Sequence, residues 1–216
     1  GEIWPPPQTV DIVPTVLTHL GANGSTITDG VPIGFSETRR PVAQLGENLI
    51  FNGDAEYERG FVGYVGVPDA WVPGWYDPGY FTVVQYDSLG GYPGDGDPGP
   101  DDRGLNFFAG GWTNSDSYAT WNIDLSSIAS DIDAGTNWEL SGWLGGYLNQ
   151  EDHTIVTINF LDSSGDVVGN GVIGPVTATD RNYVTGLLKR SSTGNVPQGA
   201  REVEVRIDAF RDSGYN

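Results

Sequence analysis

The sequence predicts an all-β protein, a two-sheet antiparallel sandwich carrying an extended N-terminal arm. Three observations point there. The 216 residues include 32 glycines and 14 prolines, a punctuation that long helices do not survive and that short strands joined by turns do. Several segments alternate apolar and polar residues at a period of two, as strands with one face on a core must. Hydrophobic residues make up 38% of the chain, with 8 Phe, 10 Tyr and 7 Trp, which supplies a core and argues against global disorder.

Residues 1–46 read as the arm. They open on Trp4-Pro5-Pro6-Pro7, a stiff extended start. The β-branched, apolar stretch Thr9–Leu20 follows, with Pro14 in its middle. A proline removes a ladder donor, so this is not an ordinary central strand. A polar loop, Gly21 to Gly30, and a turn-rich piece lead to Gly46. The folded domain is expected over residues 47–216, opening with a strand at Glu47–Asn52.

Trp121, Ile123 and Leu125 then alternate with Asn122 and Asp124. Val156, Ile158 and Phe160 do so with Thr157 and Asn159, and Val203, Val205, Ile207 and Ala209 with Glu202, Glu204, Arg206 and Asp208. Further strands are expected at 81–86, 104–108, 138–148, 167–173 and 185–190. Asp162-Ser163-Ser164-Gly165-Asp166 reads as a hairpin turn, and Ser126–Asp133 as one helical turn. The total is about eight or nine strands, enough for two packed sheets.

Lys and Arg number 10 against 29 Asp and Glu, a formal net charge of −19. Such a surface repels phosphate backbones and anionic headgroups, so nucleic acid and membrane surfaces are excluded as partners. No apolar run reaches the roughly 18 residues that span a bilayer. Cysteine is absent, which excludes disulfides, zinc thiolates and thiol nucleophiles. The chain opens at Gly1 and contains no methionine, which reads as a processed N-terminus and a secreted or cell-surface location.

Asn48-Leu49-Ile50-Phe51-Asn52-Gly53-Asp54-Ala55-Glu56 resembles the opening of jelly-roll carbohydrate-binding modules, with Trp71 and Trp75 in the place of the tryptophan segment that follows it. Gly104–Gly111, Leu140–Tyr147 and Asp180-Arg181 through Leu188 are similar to bacterial secreted jelly-roll domains. The resemblance covers roughly residues 47–216. It implies the sandwich fold and says little of function, since sandwiches host many functions. Sequences of this kind run on past Arg211–Asn216 into a further strand rich in Asp and Asn, and the first 46 residues have no counterpart in them.

The resemblance also implies a structural Ca²⁺ near Asn52, Asp54 and Glu56. Ca²⁺ needs 6–8 oxygen ligands, more than one strand end supplies. A second acidic group, Asp95, Asp97, Asp101 and Asp102, lies within one Gly/Pro loop, where close like charges repel unless a cation joins them. A solvated, mobile acidic loop is the competing reading. Exposed aromatic rings flanked by polar groups suit sugars, whose C–H faces are apolar. Trp112, Tyr118, Trp143 and Tyr147 are the candidates, since Trp143 falls on the strand face opposite Trp138, Leu140 and Leu144. Asn23-Gly24-Ser25 is an N-glycosylation sequon.

His19 and His153 are the two histidines, and no Ser-His-Asp order or paired-histidine metal spacing is present. The chain is therefore expected not to be an enzyme. The expectation is instead a structural subunit of an extracellular, filament-like assembly, with the arm adding a strand to a neighbour through Val10, Ile12, Val16 and Leu20. The arm folding back on its own domain competes with this, as does the chain being a fragment. The alternative function is a calcium-stabilised carbohydrate-binding module.

Overall fold

The computed structural model describes residues 42–57, 60, 62, 72–78, 80–111 and 116–212. Residues 41–216 form one compact unit. Its described residues hold eight strands: β1 Thr82–Gln85, β2 Asn106–Ala109, β3 Ser117–Asp124, β4 Asn137–Gly146, β5 His153–Leu161, β6 Val167–Ile173, β7 Gly186–Asn195 and β8 Glu202–Phe210. A 3-10 turn, Ser126–Ile128, runs into a short helix α1, Ala129–Gly135. No described helix is long and apolar enough to cross a membrane.

All pairings are antiparallel. One layer has four strands in the order β3-β8-β5-β6; β4 pairs with β7, and β1 with β2. The alternation read from the sequence sets which side is inside. Trp121, Ile123, Val156, Ile158, Phe160, Val203 and Val205 are buried on one face of the four-stranded layer, and Leu140 and Leu144 of β4 join the same core. Trp138 of β4 reaches across the sandwich. A Cβ added at Gly171 of β6 or at Gly194 of β7 would come within 2.3 Å or 2.8 Å of its ring, so the two glycines form the slot that seats it.

The β5–β6 hairpin turns as expected. The Asp162 carboxylate accepts from the backbone N–H groups of Ser164 and Asp166, and Gly165 takes a left-handed φ of 84°. Three expectations are corrected. The segment 47–52 is a run of loop and turns, not a strand: the Asn48 side chain accepts from Ile50 N–H, and Asn52 adopts φ 52° while its amide binds Tyr57 N–H and Pro73 C=O. Local side-chain bonds of this kind compete with a ladder. β3 begins at Ser117, ahead of its alternating apolar run, because β8 continues to pair with it down to Ala209. β7 runs on to Asn195, carried by the β4 ladder through polar residues.

The β4–β7 end of the sandwich is fastened by Arg181, which is 4% exposed. Its guanidinium donates to the carbonyls of Gly146, Leu148, Gln150 and Val184 at 2.8–3.1 Å. Five N–H donors in a rigid fork let one residue gather several strand-end carbonyls. Burial lowers its pKa, and the Glu151, Asp152 and Asp180 carboxylates act in the opposite sense.

Candidate functional site

The outward face of the four-stranded layer is a built polar surface. Register places its side chains in rows. Tyr118, Asp208 and Ile155 form one; Thr120, Arg206, Thr157 and Val172 the next; Asn122, Glu204, Asn159 and Asn170 the third. Tyr76 extends the middle row. It exchanges both backbone hydrogen bonds with Thr120 at 2.8 and 2.9 Å, which puts the two side chains on one face, and it is 66% exposed. At one end His153 stacks on its cross-strand partner Phe210, ring centroids 5.0 Å apart.

These groups hold one another in place. Arg206 lies over the Tyr118 ring, 3.8 Å from its centroid, a cation–π contact. Its Nε and Nη2 donate to the Asp208 carboxylate at 2.7–2.9 Å, and those hydrogen bonds raise the Arg206 pKa above its usual value. Asn159 Nδ2 donates to Glu204 at 3.2 Å and Asn122 Nδ2 to Glu202 at 2.5 Å. The result is a flat grid of amides, carboxylates, hydroxyls and one guanidinium on a rigid sheet, with aromatic rings at its margins. Such a grid can donate and accept many hydrogen bonds at fixed spacing.

Of the expected aromatics, Tyr118 belongs to this face. Trp143 lies on the outward face of the other layer, beside Lys189, and is 40% exposed. Tyr147 lines a cleft of about 160 Å³ with Asp152, His153 and Gly91, room for roughly five waters. The expected aromatics therefore do not converge on one surface. Trp112, the assembly residues Val10, Ile12, Val16 and Leu20, and the sequon Asn23 lie outside the described residues. Arg206, Asn122, Asn159 and Tyr76 were not singled out from sequence. Their signal is cross-strand register, and Tyr118 and Arg206 are neighbours only because β3 pairs with β8.

The acidic candidates are dispersed. Asp54 accepts from Glu56 N–H, while the Glu56 carboxylate turns to β2, binding Asn106 N–H at 2.7 Å and Asn106 Nδ2 at 3.1 Å. In the Gly/Pro loop the Asp97 carboxylate accepts from Gly94 N–H, and Asp95 N–H donates to Asp87. That loop is organised by Arg103, whose guanidinium donates to the carbonyls of Gly94, Asp97 and Pro100 at 2.8–3.0 Å. Asp101 and Asp102 sit exposed beside it. Among the described residues no three acidic or histidine side chains gather as a metal site would require.

No family model and no curated protein matches the chain. Among solved structures, it is similar to the enzymatically active domain of tailspike protein 4 from bacteriophage CBA120, at 17% identity and a TM-score of 0.46. The match covers 76% of this chain and 19% of that one, so the chain spans about a fifth of that structure's length. The expectation that the chain is not an enzyme is corrected here. A solved structure similar to it is an enzymatically active domain, and missing triads and zinc spacings do not exclude catalysis. Hydrolysis by a carboxylate pair leaves no such motif in a sequence. At this similarity the likeness assigns no activity to this chain.

Proposed function

We propose that the chain is a carbohydrate-recognition domain of an extracellular protein, and that a polysaccharide lies along the outward face of β3-β8-β5-β6. The observation that supports this best is the Tyr118–Arg206–Asp208 stack with its flanking amide row. Polyhydroxylated ligands present paired donors and acceptors, which planar amides and carboxylates match. The rings of Tyr76 and Phe210 offer flat apolar contact for sugar C–H faces. A net charge of −19 repels polyanions, so the ligand class is a neutral glycan.

The test is binding to a panel of neutral polysaccharides, glucans, mannans, galactans and chitin, by affinity electrophoresis and calorimetry. Arg206→Ala removes charge-assisted hydrogen bonds worth about 1.5–3 kcal/mol, roughly a 10- to 150-fold weakening. Tyr76→Ala, at an exposed site, is expected to weaken binding by about 1 kcal/mol without changing stability. Unaltered binding by both variants, or no binding to any glycan on the panel, would sink the proposal.

A further inference from the structure

We infer that the outer edge of β6 is a self-pairing surface, and that two copies of this chain join there, strand to strand, about a twofold axis through Asn170. The inference goes beyond the glycan reading and stands without it.

The four-stranded layer ends in two edges of different kinds. At the β3 edge the chain covers its own backbone. Thr120 exchanges both hydrogen bonds with Tyr76 on the side away from β8, and Asp116 and Asp124 stand at the two ends of the strand. β6 pairs with β5 along one side, and among the described residues no strand lies along the other. Val167, Val168 and Val172 are 59%, 40% and 46% exposed. Edge strands are commonly kept from pairing with other chains by a charge, a proline or a bulge. β6 has neither charge nor proline among its seven residues, in a molecule of net charge −19. Its register shift against β5 falls at its first residues, and Gly169–Ile173 run in regular register.

The order of residues along β6 identifies the partner. Val167-Val168-Gly169-Asn170-Gly171-Val172-Ile173 reads nearly the same in both directions about Asn170. Two antiparallel copies centred there set Asn170 against Asn170, each Gly169 against a Gly171 and each Val168 against a Val172, the self-complementary pairing of a twofold interface. Opposite residues of an antiparallel pair exchange hydrogen bonds at every second position. The twofold maps even residues onto even and odd onto odd, so the register holds whichever set turns its backbone groups outward. Exposed valines then cover exposed valines, and Asp166 falls opposite Gly174 rather than another carboxylate. On the inner side, the places of the missing Gly169 and Gly171 side chains are taken by Pro197 and Trp138 of the same copy, so pairing leaves the core intact. The layer becomes eight strands wide, and the row Asn122, Glu204, Asn159 and Asn170 continues into that of the second copy. Two short strands cover less than a standard interface, so the dimer is weak and reversible. A twofold contact closes on itself, so the product is a dimer.

Sedimentation of the full-length protein over a concentration series is expected to show a monomer–dimer equilibrium. Asn170→Lys sets two like charges directly opposite each other while making each copy less negative, so the seam is blocked as general repulsion falls. Dimerisation is expected to weaken at least tenfold. Asn170→Asp is expected to weaken it as well. An equimolar mixture of the two variants is expected to restore the dimer, because residue 170 of one copy faces residue 170 of the other. Thr193→Lys, at an exposed position on the outward face of β7, is expected to dimerise like wild type. Asn170 is exposed, and circular dichroism checks that each variant keeps its fold. Three results overturn the inference: wild type monomeric at its highest soluble concentration, wild-type dimerisation by Asn170→Lys, or a mixture that associates no more strongly than either variant alone.

Discussion

β8 has a hydrogen-bonded neighbour along both edges, β3 and β5, whereas β4 among the described residues has one, β7. The four-stranded layer is thus held by its own ladders, and its outward face is free to carry a grid of short polar side chains bonded to each other. The β4–β7 pair lacks that width. It is fixed by Trp138 in its glycine slot and by the four carbonyls gathered on Arg181. The difference teaches that ladders shared across four strands stabilise one layer, whereas a single two-strand ladder and a few anchoring side chains stabilise the other. The first presents a polar outward face held in register by its neighbours, and the second depends on a few anchoring side chains.

The two layers also treat the same residue type in opposite ways, which gives the largest expected effect. Trp121 of β3 is buried against Phe51, ring centroids 5.6 Å apart, while Trp143 of β4 faces outward. Trp121→Ala is expected to cost about 3–5 kcal/mol, and Trp143→Ala to stay within about 0.5 kcal/mol of wild type. Urea denaturation of the two variants measures the contrast. Equal costs would mean that β4 contributes its outward aromatic to the core and that the layers are built alike.

Removing Arg181 is expected to have the next largest effect. Arg181→Met keeps an unbranched apolar side chain and leaves the carbonyls of Gly146, Leu148, Gln150 and Val184 to find water. An unsatisfied buried polar group costs about 1–3 kcal/mol, and partial resolvation of the set brings the expected loss to about 3 kcal/mol. Hydrogen exchange is the sharper readout. Amides of β4 and β7 should exchange faster than in wild type at a urea concentration where those of β5 and β8 do not change. Uniform acceleration across all four strands would show one cooperative unit rather than two layers with separate supports.

Much of this architecture is legible in the chain. Period-two alternation locates β3, β5 and β8 and assigns their inner faces, and parity along β4 puts Leu140 inside and Trp143 outside. The opening 47–52 was misread because Leu49, Ile50 and Phe51 look like a strand while Asn48 and Asn52, which capture the backbone, look like ordinary polar neighbours. The length of β7 was hidden because Ser191–Asn195 carry no apolar period, and their strand comes from pairing with β4. The outward grid was invisible for a related reason. Tyr118 is in sight as an aromatic, but its partners Arg206 and Asp208 sit on a strand far along the chain. In the acidic loop the sequence shows four carboxylates and suggests a cation, but it does not show that Arg103 organises the loop through the carbonyls of Gly94, Asp97 and Pro100.

The smallest effect expected is on acid stability, and it touches both layers. Asp133 of α1 accepts from Gly199 N–H and from Arg201, fastening the helix to the approach to β8. Asp180 accepts from Thr177 N–H and meets Arg190 of β7. The pKa of Asp133 is lowered chiefly by the Arg201 hydrogen bond, and that of Asp180 chiefly by Thr177 N–H. A carboxyl held more acidic in the fold than in the unfolded chain binds fewer protons when folded. Its contribution is complete above the unfolded value, about 3.9, and is lost as pH falls through the lower folded value. Unfolding midpoints measured from pH 6 downward should therefore drop below about pH 4. Asp133→Asn and Asp180→Asn should each make that drop shallower while lowering the neutral-pH midpoint slightly. Both carboxylates are exposed and screened by salt, so the effect should shrink in 1 M NaCl. An acid limb that is unchanged in both variants would remove these two side chains from the account of what fastens each layer.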